Sequence, residues 1–408
     1  MADTRALAVD FLVDVMKKQA ITKQSEDAFV NNLILTAFRH LPYIKKIIKK
    51  FAKKTGKNLV IDAVLILGVT ELLYMETPDY AIINSYVDLA KKRANKFAGG
   101  FVNAVLRNIA RGKLEIQKAD KGEFFSEGFR KMLLKSYDKK TIDLIEKTSI
   151  NEPALDITLK GESEICSLGK MLPLGSLRVE KKGKIENLPE YEKGCWWVQD
   201  FSSALPVKML GDVKGKRVLD VCAAPGGKTA QLLAKGAKVT ALDVSEVRLQ
   251  KLKQNLKRLH LEAEEIICMD ALEYFAKAKQ QYDVVLLDAP CSATGTLRRH
   301  PEIANFKTFD DVLKQASLQK ELLEAASKFV VKGGILAYCT CSLCKEEGEN
   351  QINEFIKNHD EYKVIDLHIK VPKEIEKIVD KQGLIRVLPH YVDGGADGFF
   401  AACLEKMQ

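Results

Sequence analysis

From Lys216 onward the chain alternates between short apolar runs of strand length and longer stretches of helical periodicity. This alternation constrains the fold more than any other feature of the sequence. The runs are "KRVLDV", "KVTALDV", "EEIICMD", "YDVVLLDAP", "GGILAYCTC" and "GFFAACLEK". Apolar strands alternating with helices imply a mainly parallel sheet covered on both faces. Ligands on such sheets bind beyond the carboxyl ends of the strands. Chemistry-bearing residues are therefore sought at the ends of these runs.

The first 110 or so residues follow a different period. "TRALAVDFLVDVMKK", "SEDAFVNNLILTAFRHLPYIKKIIKKFAKK", "NLVIDAVLILGVTELLYM", "YAIINSYVDLAKKRANK" and "GGFVNAVLRNIAR" place apolar residues three and four apart, bounded by Gly56, Pro78 with Asp79, Gly99 with Gly100, and Gly112. A helical bundle is expected, with further helix to about residue 148. The run beginning at Leu59 is the most apolar, but Asp62 and Glu71 interrupt it, so it reads as a buried helix rather than a membrane span. Between Asn151 and Gly194 short alternating runs and turn residues predict a small linking module of strands and one helix. The predicted organisation is multidomain: an all-α bundle (1–140), a small α+β linking module (141–195) and a Rossmann-like α/β domain (196–408).

With 408 residues, 46% of them hydrophobic and 29% charged, the chain can build proper cores, and neither a disordered nor a membrane protein is expected. Asp3, Asp10 and Asp14 lie in a helical pattern that no secretory signal would tolerate, so a cytoplasmic location is expected. The nine cysteines then count as thiols, each either core filler or chemistry. The net charge of +9 suits an anionic partner. Lys45, Lys46, Lys49, Lys50, Lys53, Lys54, Lys91, Lys92, Arg93 and Lys96 gather on the outer face of the bundle. They read either as a solvated polar face or as a phosphate-binding surface.

"RVLDVCAAPGGKTAQLLA" is a strand, a Gly-containing loop and a helix, an arrangement that lets backbone approach a ligand closely. A P-loop needs Gly where Cys222 stands, and G-x-G-x-x-G is absent, so neither a nucleoside triphosphate nor a dinucleotide fits. Asp243, ending the second strand, is placed to accept from ribose hydroxyls, and Asp270, ending the third, from an adenine amine. Either could instead cap a helix. The combination of loop and acids points to S-adenosylmethionine.

The fourth strand ends in "LLDAPCSATGTLRRHPEI" and the fifth in "AYCTCSLC", delivering Asp288 and Cys291 beside Cys341. Core filling is the expected role of Cys166, Cys195, Cys268 and Cys403. A zinc site built on Cys339, Cys341 and Cys344 lacks a short-spaced second pair, although Cys291 could be recruited, and no metal is expected. Covalent chemistry explains more. Carbon 5 of a pyrimidine becomes nucleophilic only after a thiolate adds to carbon 6. The ring nitrogen then needs a proton donor, for which Asp288 is the candidate, and Cys291 is the candidate for assisting release.

"DVCAAPGGKT", "DAPCSATGTLRRHPEI" and "AYCTCS" resemble the signature motifs of bacterial rRNA cytosine-5 methyltransferases of the Sun/RsmB type, within the NOL1/NOP2/Sun family. The resemblance implies that Cys341 is the nucleophile and that Cys291 aids product release. It also implies cofactor contacts at Cys222, Ala223, Ala224, Pro225, Gly226, Gly227 and Lys228, and at Asp243, Asp270 and Asp288. Cys339 and Cys344 match no essential position. "ILGVTELLYMETPDYAIINSYVDLAKK" with "GGFVNAVLR" resembles a NusB-like RNA-binding domain, and "PHYVDGGADGFFAACLE" is similar to the family's C-terminal hairpin. "ALDITLKG" departs from an "LRVN"-like stretch of many relatives, so RNA contacts by that Arg and Asn are not implied here.

The implied substrate is a cytosine in ribosomal RNA, most naturally of the small subunit, held in a loop or flipped from a helix. Arg298, Arg299 and His300 follow the Pro-Cys loop and are expected to meet phosphates, unless they form a simple solvated turn. No membrane and no obligate protein partner is expected. A tRNA substrate, a non-catalytic RNA-binding factor that keeps the fold as scaffold, and a redox or metal-binding protein are the competing readings.

Overall fold

The computed structural model describes residues 4–21, 25–52, 58–161, 168–180 and 183–407. Asp3, Lys53, Lys54, Gly56 and Cys166 lie outside the described residues. The chain divides into two compact units, Met1–Asn151 with Leu297–Thr308, and Glu152–Thr296 with Phe309–Gln408.

The first unit is helical: α1 Thr4–Lys18, α2 Ala28–Arg39, α3 Leu41–Phe51, α4 Leu59–Tyr74, α5 Asp79–Arg93, α6 Ala98–Arg111, α7 Lys113–Ala119, α8 Glu127–Leu133 and α9 Lys139–Ser149. The long predicted helix from Ser25 is two helices. His40 both ends α2 and precedes α3, whose first turn contains Pro42 and cannot continue an earlier helix. Asp27 and Asn58 cap α2 and α4 by accepting main-chain N–H groups. α4 is buried from Ala63 to Leu73, as its all-round apolar sequence requires. Its one buried charge, Glu71, accepts from Arg5 Nε at 2.9 Å and from the Tyr86 hydroxyl at 3.1 Å. No helix among the described residues is long and apolar enough to cross a membrane.

The second unit opens with an antiparallel sheet of order β2-β3-β1-β4, made of β1 Leu155–Leu159, β2 Gly169–Met171, β3 Ser176–Val179 and β4 Trp196–Val198. The α-helix expected between Asn151 and Gly194 does not occur among the described residues, which hold only 3-10 turns there. Trp196 and Trp197 are both core residues, and the Trp196 indole donates to the Pro189 carbonyl at 2.8 Å.

All six apolar runs of the second half are strands. The larger sheet has the order β10-β12-β9-β8-β5-β6-β7, where β5 is Arg217–Val221, β6 Lys238–Asp243, β7 Glu265–Cys268, β8 Tyr282–Asp288, β9 Val330–Thr340, β10 Tyr362–Val364 and β12 Phe399–Lys406. β11 (Ile385–Val387) pairs with the start of β12. Strands β5 to β9 are parallel, and β12 is antiparallel to β9. Alternate residues serve two cores: Val284 and Leu286 face one, Val285 and Leu287 the other. The helices of this unit are α10 Phe201–Met209, α11 Gly227–Ala234, α12 Glu246–Arg258, α13 Ala271–Lys277, α14 Phe309–Ser327 and α15 Glu349–Asn358. β5 lies between β6 and β8, so the strand order reverses there. The crevice that α/β sheets use for ligands opens beyond β5 and β8.

Candidate active site

Beyond β5, the loop from Cys222 to Lys228 turns sharply. Cys222 has φ +62° and Gly226 φ +101°. A Cβ at Gly226 would stand 2.8 Å from Leu252 Cγ, so glycine is needed there for both reasons. α11 starts at Gly227. Asp243 is buried at the end of β6, and its Oδ2 accepts from the Ala224 N–H at 3.1 Å while Oδ1 accepts from Ser245 N–H at 2.9 Å. It thereby fixes the loop of the neighbouring strand. Asp270 lies two residues past β7 and caps α13. Both of its bonds, from Leu272 and Glu273, go to Oδ1, leaving the exposed Oδ2 available to a ligand. The helix-cap reading of Asp270 is thus correct, and the cap does not occupy the whole carboxylate.

Two observations test whether S-adenosylmethionine suits this edge. Asp220 in β5 is fully buried, its Oδ2 accepts from Thr229 Oγ1 at 2.6 Å, and its Oδ1 has no partner. Burial pushes its carboxyl up to about 7, helped by the nearby Asp288. Val244, next to Asp243, is 67% exposed, an apolar surface of the kind an adenine would cover. Together with the Gly-containing loop, these residues fit a nucleoside with a charged tail. The loop could hold the methionine end, Asp243 the ribose and Asp270 the base.

β8 and β9 carry the rest. In their parallel register Asp288 pairs with Cys339, so the segments that follow emerge side by side. Cys291 Sγ and Cys341 Sγ are 3.2 Å apart, and both residues are half-buried. The contact with Cys341 and burial push the Cys291 thiol up. Asp288 Oδ2 accepts from Lys228 Nζ at 2.7 Å, and its Oδ1 from the Cys339 thiol at 3.4 Å. Burial opposes the Lys228 ammonium, but Asp288, together with Cys339 and Asp220, outweighs it and the Lys228 pKa rises. Cys339 is therefore a buried neighbour of Asp288, and Cys344 is buried with its sulfur 3.9 Å from Thr294 Oγ1.

Glu347 was not singled out by the sequence, where it sits in the acidic run "KEEGEN" and resembles a solvated face. It is fully buried. Its Oε1 accepts from Ser292 N–H at 2.8 Å and Gln319 Nε2 at 3.0 Å, and its Oε2 from Ser292 Oγ and Ser342 Oγ, both at 2.5 Å. Ser292 and Ser342 directly follow the two cysteines, so one carboxylate clamps both loops. Gly295 adds a second tie. Its N–H donates to the Cys341 carbonyl at 2.9 Å, and a Cβ there would collide with the Gly398 carbonyl.

The remaining expectations fare differently. Arg298 is 2% exposed, which withdraws its guanidinium from phosphates in solvent, and its carbonyl accepts from Arg39 Nη2 at 3.1 Å. Arg299 is half-buried and His300 exposed, with its Nδ1 3.2 Å from Glu302. All three belong to the helical unit. Cys403 is core as expected and Cys195 is partly buried, but Cys268 is exposed rather than buried filler, at the sheet edge formed by β7.

A loop, two strand-end acids and a cysteine pair beyond a doubly wound sheet define a methyltransferase that uses S-adenosylmethionine. The profile described as 16S rRNA methyltransferase RsmB/F matches residues 207–405, and that of the NusB family residues 2–111. The chain is 31% identical to ribosomal RNA small subunit methyltransferase B of Photorhabdus laumondii over 412 residues, covering 96% of this chain and 93% of the relative. It is likewise 31% identical to the protein of the same name from Vibrio cholerae, covering 93% and 90%. A solved structure, the crystal structure of PH0851, shares the fold with a TM-score of 0.77 at 23% identity, covering 100% of this chain and 99% of that one. The chain belongs to the RsmB/F family of methyltransferases, with a NusB-type helical domain ahead of the Rossmann-like one.

Proposed function

We propose that this protein methylates carbon 5 of a cytosine in small-subunit ribosomal RNA, in the cytoplasm, through a transient bond between Cys341 and carbon 6. The observation that carries this reading is the 3.2 Å approach of Cys341 to Cys291 beside the Asp288–Lys228 pair. The small-subunit methyltransferases to which the chain is similar support ribosomal RNA as the substrate.

The Cys341 thiolate adds to carbon 6, and the ring's electrons move toward nitrogen 3 and carbon 5. Asp288 protonates nitrogen 3 as charge develops there and takes that proton back when Cys341 leaves, while the Lys228 ammonium beside it stabilises the carboxylate in between. Bound S-adenosylmethionine supplies the methyl electrophile to carbon 5. Bonding of the Cys341 sulfur to carbon 6 removes the contact that holds Cys291 as a thiol. Cys291 then loses its own proton to solvent, takes the carbon 5 proton as a thiolate, and the electrons left behind expel Cys341. Cys222 to Lys228, Asp243 and Asp270 hold the cofactor. Arg299, His300 and the basic face of the helical unit bind phosphates.

The test is a denaturing gel of the Cys291→Ala protein after incubation with S-adenosylmethionine and ribosomal RNA. A slow, RNase-sensitive protein band is expected, because the adduct forms but cannot resolve. An active Cys291→Ala protein without that band would remove Cys291 from the release step. A wild-type protein that binds RNA but transfers no methyl group would move the reading to a non-catalytic binding factor.

A further inference from the structure

The Cys291–Cys341 pair has a chemistry of its own, apart from methyl transfer. The two sulfurs stand 3.2 Å apart and need to close by only about 1 Å to reach a disulfide bond length. The backbone around them is already fixed. Glu347 binds Ser292 and Ser342, the residues that follow the two cysteines, and Gly295 N–H holds the Cys341 carbonyl at 2.9 Å. The other cysteines of the segment around Cys341 are directed elsewhere, Cys339 to Asp288 and Cys344 to Thr294, and both are buried.

We propose that Cys291 and Cys341 form a reversible disulfide in response to hydroperoxides, locking the site until a thiol reduces it. The Cys341 thiolate attacks a peroxide oxygen, the O–O bond breaks, and sulfur becomes a sulfenic acid while hydroxide leaves and is protonated to water. Cys291 sulfur then attacks the Cys341 sulfur, its thiol proton goes to the departing hydroxyl, and a second water leaves. Two thiols are oxidised by two electrons and one hydroperoxide is reduced. Cys341 is the residue oxidised first, since burial and its neighbour hold Cys291 in the thiol form. Cys291 is then the resolving partner, which protects Cys341 from irreversible oxidation. Loss of methyl transfer on oxidation rests on the proposed nucleophilic role of Cys341, but formation of the bond does not.

The test treats the full-length protein with stoichiometric hydrogen peroxide, then counts free thiols and maps peptides by mass spectrometry. Two of the nine thiols should disappear, joined as a Cys291–Cys341 link, and dithiothreitol should restore both. In Cys291→Ser protein, dimedone should capture a sulfenic acid at Cys341 and no link should form. Nine surviving thiols, a link between other cysteines, or Cys341 driven to sulfinic acid with Cys291 still free would each overturn the proposal. Methyl transfer, measured on the same samples, should vanish with the link and return with dithiothreitol. A link that forms in a protein inactive even when reduced would leave the disulfide standing and remove the methyltransferase reading instead.

Discussion

The ammonium of Lys228 lies 2.7 Å from Oδ2 of Asp288, joining the loop after β5 to the end of β8. These strands are neighbours because the strand order reverses at β5, so residues 60 positions apart share one charge pair. Lys228 is nearly enclosed, while Asp288 keeps about a third of its side chain exposed toward the cleft. The pair is thus anchored at one end and accessible at the other, as a group that meets a substrate needs to be.

Asp288→Asn removes both the acid and the counter-charge. Methyl transfer is expected to fall by about 10²- to 10⁴-fold, the usual contribution of a positioned acid. Stability should fall by about 1–3 kcal/mol, because the buried ammonium is left without its partner. Combined with Cys291→Ala, the substitution should also slow formation of the RNA adduct on the denaturing gel. An adduct that forms at the single variant's rate would show that Asp288 does not assist the addition.

Glu347 accepts four hydrogen bonds and touches no position where a base would react, so it acts through the loops that it ties. Glu347→Gln keeps the shape but replaces two acceptor sites with donors. Small misplacements of reacting groups lower rates sharply, so kcat should drop by about 10- to 100-fold. KM for RNA and S-adenosylmethionine affinity should stay near wild type. A change in KM with kcat intact would instead place Glu347 in substrate binding.

Asp220 provides a pH signature. Its carboxyl is pushed up to about 7 from an ordinary value near 3.8, so between these values the folded protein binds a proton that the unfolded chain releases. Its contribution to stability is complete below about pH 4 and is lost as pH rises through about 7. Asp220→Asn removes this slope. Relative to the variant, wild-type protein should lose up to about 4 kcal/mol between pH 4 and pH 8, read from denaturant midpoints at each pH. Parallel curves for the two proteins would mean that Asp220 titrates as an ordinary aspartate.

The elements that sequence revealed were those set by local pattern. α4 is apolar on every side and is buried, α1 spans the predicted residues, and Asp243 and Asp288 close the strands that were expected to end on them. The cysteine pair also followed from the strand ends alone. What stayed hidden depends on packing between distant segments. Strand order is not encoded in alternation, so the meeting of Lys228 with Asp288 could not be read. Glu347 and Glu346 look alike in "KEEGEN", and only packing against Gln319 and the two serines makes one of them a buried clamp. Arg298 misled for the opposite reason. A run of basic residues suggests exposure, yet the chain there returns to the helical unit and buries that side chain.

The basic face of the helical unit is open to a direct test. Lys49 and Lys50 end α3 and Lys91, Lys92 and Arg93 end α5, all exposed. Part of this pattern is explained by the helices themselves, since cations stabilise helix C-termini by about 0.3–1 kcal/mol. A role in RNA binding goes further, because neutralising phosphates releases counterions and makes affinity depend on salt. Lys49→Glu with Lys50→Glu should weaken ribosomal RNA binding and flatten the log–log salt dependence by roughly one for each phosphate no longer neutralised. S-adenosylmethionine binding should be unaffected, because the cofactor residues belong to the other unit. Binding curves measured at several salt concentrations separate the two explanations: a small drop in stability with unchanged RNA affinity and slope assigns these lysines to their helix ends, and a lower slope assigns them to RNA.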